Sequence, residues 1–218
     1  FFALTLLIGL LAGLVTVSLE FIIHFITDLI GTNKSFTLSS FFWGGILVLT
    51  SGWLTIRYFK NSAGSGVPGV KIALAVHHGR ISLKDTIGKY LTTILSLSSG
   101  VSLGKEGPVV TITSGIGSFF GQFFHLSKKR VKALVAVGSA GGIAAAFNTP
   151  ISAVVFTMEE VVGDLNAKFL SSIIISSVIA AVTGQRLMGD RVLFPQVFYK
   201  LNDPKELAFY ALIGVVAA

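Results

Sequence analysis

Between Phe1 and Ile30 the only acidic or basic side chains are Glu20, His24 and Asp28. About 20 apolar residues in helical form cross the hydrocarbon core of a bilayer, so this run is long enough for a tilted span. Inside lipid each backbone N–H and C=O must find its partner within the protein, which leaves helices or closed barrels. The run shows no strand alternation, and neither does the rest of the chain. An all-α membrane protein is therefore expected.

Composition agrees. Charged residues make up 12% of the chain and apolar ones 52%, against about 25% charged in soluble domains. Mean hydropathy is +0.81. The net charge of +7 does not indicate nucleic acid, because no basic stripe with interleaved aromatics is present. The basic residues fall in short links, as at Arg57/Lys60, Arg80/Lys84, Lys128-Lys129-Arg130 and Arg186/Arg191, where they help to orient membrane helices. Without cysteine, disulfides, thiolate metal sites and cysteine catalysis are excluded. The first run lacks a basic leader and a small-residue cleavage site, so it is not a signal peptide. The chain starts in apolar sequence and stops within it, so an N-terminal tail and a C-terminal portion are expected beyond it.

Further spans are expected at Phe41 to Phe59, Leu83 to Val101, Glu106 to His125 and Leu165 to Val182. A polar loop, Gly31 to Ser40, separates the first two, and Asp203-Pro204 is expected to cap a last helix. Ser127 is placed to cap a helix from Lys128 that breaks at Asn148-Thr149-Pro150. Pro150 opens another, ending at Met158-Glu159-Glu160. Glu20, His24 and Asp28 share one helix face, read as a polar face toward the surface or the bundle. Lys89 is expected to snorkel to the surface; the alternative is that it adds positive potential near an anion path.

Two stretches carry chemistry. Gly64-Ser65-Gly66-Val67-Pro68-Gly69 leads into an apolar run to Val76 that is too short to span. Short, glycine- and proline-interrupted segments point to binding sites in transporters. In Gly104-Lys105-Glu106-Gly107-Pro108, Pro108 fits the first turn of a helix, where its missing N–H is not needed. A helix start attracts anions through unpaired N–H groups and the helix dipole. A carboxylate tethered there occupies the anion site when ionised and leaves it when protonated. Glu106 is thus expected to act as an anion gate worked by a proton.

Other motif matches fail on context. Gly64 to Gly69 fits G-x-G-x-x-G, but a span precedes it and Lys89 stands near the position of the required acid. Gly100 to Lys105 imitates a P-loop one residue short, with Glu106 where a magnesium-binding hydroxyl would be needed. His24, His77, His78 and His125 have no metal-ligand spacing. His77-His78 is expected in an exposed link.

On Gly64-Ser65-Gly66-Val67-Pro68, Gly104-Lys105-Glu106-Gly107-Pro108 and Gly138 to Pro150 running into Glu159-Glu160, the sequence resembles the CLC family of chloride channels and proton-coupled chloride transporters. The resemblance implies a multi-span helical bundle with broken, re-entrant half-helices. Residues 1–218 would form the first inverted repeat and the start of the second. It implies chloride binding by Gly64, Ser65, Gly66, Lys105, Glu106 and Gly107, with Ser65 on the central ion and backbone amides lining the path. Glu106 would be the external gate, and Glu160 the internal carboxylate that relays protons. A homodimer in a plasma or inner membrane is implied, with chloride and protons as transported ions and no resident cofactor or metal.

Glu106 and Glu160 together favour proton/chloride exchange over a passive channel, and Ser65 in place of proline favours chloride over nitrate. Gly69 departs from the family pattern, which commonly has an acid there. A symporter for a carboxylate-bearing solute would use the same broken-helix logic. An intramembrane enzyme is weakened by the lack of a nucleophile–base pair.

Overall fold

The computed structural model describes residues 1–31, 38–163, 169–189 and 206–217. Among them there is no strand. Helix α1 (Phe2–Ile30) ends at Gly31, whose φ of 75° lets its N–H turn back to the Thr27 carbonyl at 3.0 Å. Then come α2 (Leu38–Arg57), a 3-10 turn (Lys60–Ser62), α3 (Val67–Ala75), α4 (Leu83–Ser98) and α5 (Glu106–Phe123). The remainder is α6 (Lys128–Phe147), α7 (Pro150–Phe156) running into a π-helical turn (Thr157–Val162), α8 (Leu170–Met188) and α9 (Glu206–Ala217).

The centre is α6, buried almost throughout from Val131 to Ala146 and packed against α5, α8 and α1. Small residues make this possible. A side chain on Gly117 of α5 would run into the Leu134 carbonyl, and one on Gly138 of α6 into that of Thr113. The α5 and α6 backbones thus approach closely from both sides, the contact that small residues permit in membranes. Serines join the helices by donating their buried hydroxyls to carbonyls of a neighbouring helix. Ser176 Oγ donates to Val137 O at 2.9 Å, and Ser51 Oγ to Thr92 O at 3.0 Å.

Helices α1, α2, α6 and α8 are long and apolar enough to cross a membrane. On α2, the side chains of Phe41, Leu49, Trp53 and Ile56 are exposed. In water such a patch would drive association; against acyl chains it is ordinary solvent contact. By contrast, 83% of the apolar window of α6 is buried within the protein. Its neighbours, not lipid, are its solvent.

Some expected boundaries shift. Helix α4 stops at Ser98 rather than Val101, so its 16 residues reach about 24 Å at 1.5 Å per residue, short of the roughly 30 Å hydrocarbon core. Ser127 does stand before α6, but its side chain makes no capping hydrogen bond. The helix of Pro150 gives way to the π-helical turn at Thr157, so Glu159 and Glu160 lie in that turn. Asp203-Pro204, Arg191 and the expected start at Leu165 lie outside the described residues.

Candidate ion-binding site

Two helix starts meet at one cavity. The chain enters α3 through Gly64 (φ 86°) and Gly66 (φ 111°), both left-handed conformations that L side chains rarely adopt and glycine adopts at little cost. Pro68 lies in the first turn of α3, where a missing N–H costs nothing. Helix α5 opens at Glu106, with Pro108 in its first turn. Neither helix start carries a side-chain cap, so neighbouring side chains do not cover its first amides. The two starts touch: a side chain on Gly107 would strike the Ser65 carbonyl, and one on Gly66 would strike Gly107 O and Thr111.

Gly64, Ser65, Glu106 and Gly107 line a cavity of about 600 Å3, together with Lys89, Gly104 and Pro108. Ser65 and Glu106 are exposed to it. The Glu106 carboxylate folds back against Gly104, where a Cβ would collide with it. No cation pairs with Glu106 among the described residues. Of the other expected chloride-binding residues, Gly66 lines an adjoining cavity with Val70 and Thr111. The Lys105 side chain points elsewhere: it lines a separate pocket and pairs with Glu20. Only its backbone remains near the Ser65 cavity.

Lys89 does not snorkel. It is 7% exposed, and its Nζ donates to Ser62 O at 3.1 Å and Gly64 O at 2.6 Å. Hydrogen bonds to a charged donor contribute about 1.5–3 kcal/mol each, which offsets part of the cost of burying the ammonium. The loop that carries Ser65 is therefore tied to α4 through its own carbonyls. Ser62 Oγ adds a bond to Asp85 O at 2.8 Å. The alternative reading, positive charge beside the cavity, agrees with this placement.

Glu160 sits in a different setting. Lys71, in α3, donates to Glu160 Oε2 at 3.3 Å, and both side chains are about half exposed, 48% and 57%. The turn is seated by Val161, which belongs to the same apolar cluster as Val70 and Leu74 of α3. Glu159 lines another cavity of about 640 Å3 with Lys71, Lys129 and Lys132. His77 and His78 lie in an exposed turn after α3; nearby Lys128, then burial, then Lys132, Arg80 and His77 lower the His78 pKa.

The sequence did not reveal the Lys71–Glu160 contact, and it placed Glu20 only on a polar face. Both pairs join distant parts of the chain, so spacing holds no trace of them. Lys89 was visible as a charge inside an apolar segment, and an intramembrane charge is a functional candidate.

A membrane bundle in which glycine-framed half-helix starts converge on a carboxylate and a hydroxyl belongs to the class of ion- and solute-translocating proteins. The profile described as voltage gated chloride channel matches residues 45–218. The chain belongs to that family. It is 28% identical over 98% of its length to the H(+)/Cl(-) exchange transporter ClcA of Vibrio cholerae serotype O1, covering 48% of that protein. It superposes on a CLC-type fluoride/proton antiporter with a TM-score of 0.76 at 26% identity, covering 98% of this chain and 53% of the other. A slow cyanobacterial Cl-/H+ antiporter gives 0.75 at 22% identity and the same coverage, a likeness of fold. The chain spans about half the length of these relatives.

Proposed function

We propose that this chain is the first half of a proton/chloride exchanger, comprising the first inverted repeat and the start of the second. The observation that carries the reading is the convergence of the α3 and α5 starts on one cavity, with Ser65 and Glu106 lining it. The Ser65 hydroxyl and the backbone around Gly64, Gly66 and Lys105 to Gly107 would hold chloride through N–H and O–H donors. The Glu106 carboxylate competes with the anion for those donors and, once protonated, gives way to it. Glu160 passes the proton between the solution and the interior. The likeness to ClcA supports exchange in particular. The complete protein works as a homodimer in a plasma or inner membrane, with chloride and protons as its only cargo.

The test is the full-length protein in liposomes, with tracer chloride and tracer amino acids offered in parallel and external pH recorded. A chloride gradient driving protons uphill is expected. Chloride flux without proton movement would make it a passive channel, and amino-acid uptake without chloride flux a symporter. A second reading, fluoride in place of chloride, rests on the likeness to the fluoride/proton antiporter. The same vesicles loaded with fluoride distinguish it.

A further inference from the structure

Lys105 and Glu106 are neighbours in sequence, yet their side chains enter different cavities. Glu106 faces Ser65. Lys105 enters a pocket of about 240 Å3 lined also by Glu20, His24, Phe147, Asn148 and Gln185. There its Nζ donates to Glu20 Oε1 in an ion pair and lies 5.4 Å from the centre of the Phe147 ring. The Glu20 side chain is 11% exposed and that of Lys105 27%. Glu20 is held from α1, whereas Lys105 is the N-cap of α5, the helix whose first residue is Glu106. The pair therefore anchors the gate helix to α1 at the point where the gate begins.

We propose that Glu20 is a positioning residue for the gate, holding the Lys105 ammonium in the pocket beside α1 and away from the Glu106 carboxylate. This rests on the reading of Glu106 as the gate. A lysine ammonium is a point charge on a flexible four-carbon stem. Released from Glu20, it turns to the next carboxylate within reach, which is that of the adjacent residue. The attraction between these adjacent opposite charges then holds Glu106 in its ionised, closed form. The other groups nearby do not substitute for Glu20. Among the described residues, His24 on α1 is the only further titratable side chain lining the pocket, and Asn148 and Gln185, from the α6 and α8 side, are neutral. Lys89, facing Glu106 from α4, is engaged by the Ser62 and Gly64 carbonyls.

Full-length wild type, Glu20→Gln and Glu20→Gln/Lys105→Met are reconstituted in liposomes, and chloride turnover is measured across pH. Glu20→Gln is expected to lose about tenfold in turnover at neutral pH, the scale of one charge-assisted hydrogen bond. It should recover toward acid pH, where Glu106 takes a proton and the ammonium loses its hold. The double variant keeps the backbone amide at position 105 and has no ammonium to misplace, so it should regain most of the turnover and the wild-type pH profile. A Glu20→Gln profile like the wild type, or a double variant as slow as the single, overturns the proposal. If Glu20→Gln does not fold, the double variant still decides: turnover near wild type supports the proposal, and its loss overturns it. Proton coupling that survives Glu106→Gln would instead remove the gate, and with it this role for Glu20.

Discussion

Two exposed carboxylates, Glu106 and Glu160, have opposed settings. Glu106 opens a helix, has no ion-pair partner among the described residues, and shares its cavity with the Ser65 hydroxyl and with Gly64, Gly104 and Gly107. Glu160 lies in the π-helical turn that ends α7 and is met by the Lys71 ammonium. At a helix start the backbone itself offers donors and positive potential to any anion, tethered or free. At a helix end it offers carbonyls, and the cation must come from a side chain. The first setting allows exchange of a carboxylate for chloride; the second allows proton traffic without an anion site. Helix α3 joins them, with Ser65 just before its start and Lys71 within it.

The largest effect is expected at the first carboxylate. In the full-length protein Glu106→Gln or Glu106→Ala should abolish proton coupling while chloride still flows. Uphill proton pumping by either variant would erase the distinction between the two settings. Next comes Glu160→Gln, which should stop proton movement and leave chloride flux, with Glu159→Gln changing little. Proton flux recorded in both variants checks this, and a reversed pattern would move the relay into the Lys129/Lys132 cavity. Ser65→Pro should leave coupling in place but shift anion preference from chloride toward nitrate, seen in the ratio of their fluxes. An unchanged ratio would separate Ser65 from the anion. The smallest effect is expected for Lys71→Met. An ion pair this exposed, screened by solvent, contributes between 0 and about 1 kcal/mol, so thermal unfolding of the protein in detergent should barely move.

Much of this contrast was legible in the sequence because it is written locally. Gly64 to Pro68 and Gly104 to Pro108 specify tight turns into helices, and those turns place Ser65 and Glu106 whatever the rest of the chain does. Glycines and alanines from Gly138 to Ala146 likewise announced a helix that others pack closely, which α5 and α8 do. The misreading concerns a long side chain. Lys89 could have reached solvent or interior by rotating its stem, and the two carbonyls that decide the matter come from a loop on another element. Lys105 entered the anion site through its backbone amide; that its side chain answers to Glu20 on α1 left no trace in its neighbours. The π-helical turn at Thr157 likewise left no pattern in the residues that form it.

Lys89 has a consequence for how the protein is made. A lysine near the centre of a membrane helix raises the cost of insertion by roughly 2.5–3.5 kcal/mol, and α4 also carries Lys84 and Asp85 in its first turn. With 16 residues, it is a poor candidate for entering the bilayer alone. The carbonyls that solvate the Lys89 ammonium belong to the segment just before it in the chain, at Ser62 and Gly64. Helix α4 therefore depends on that preceding segment to offset the charge it carries into the bilayer.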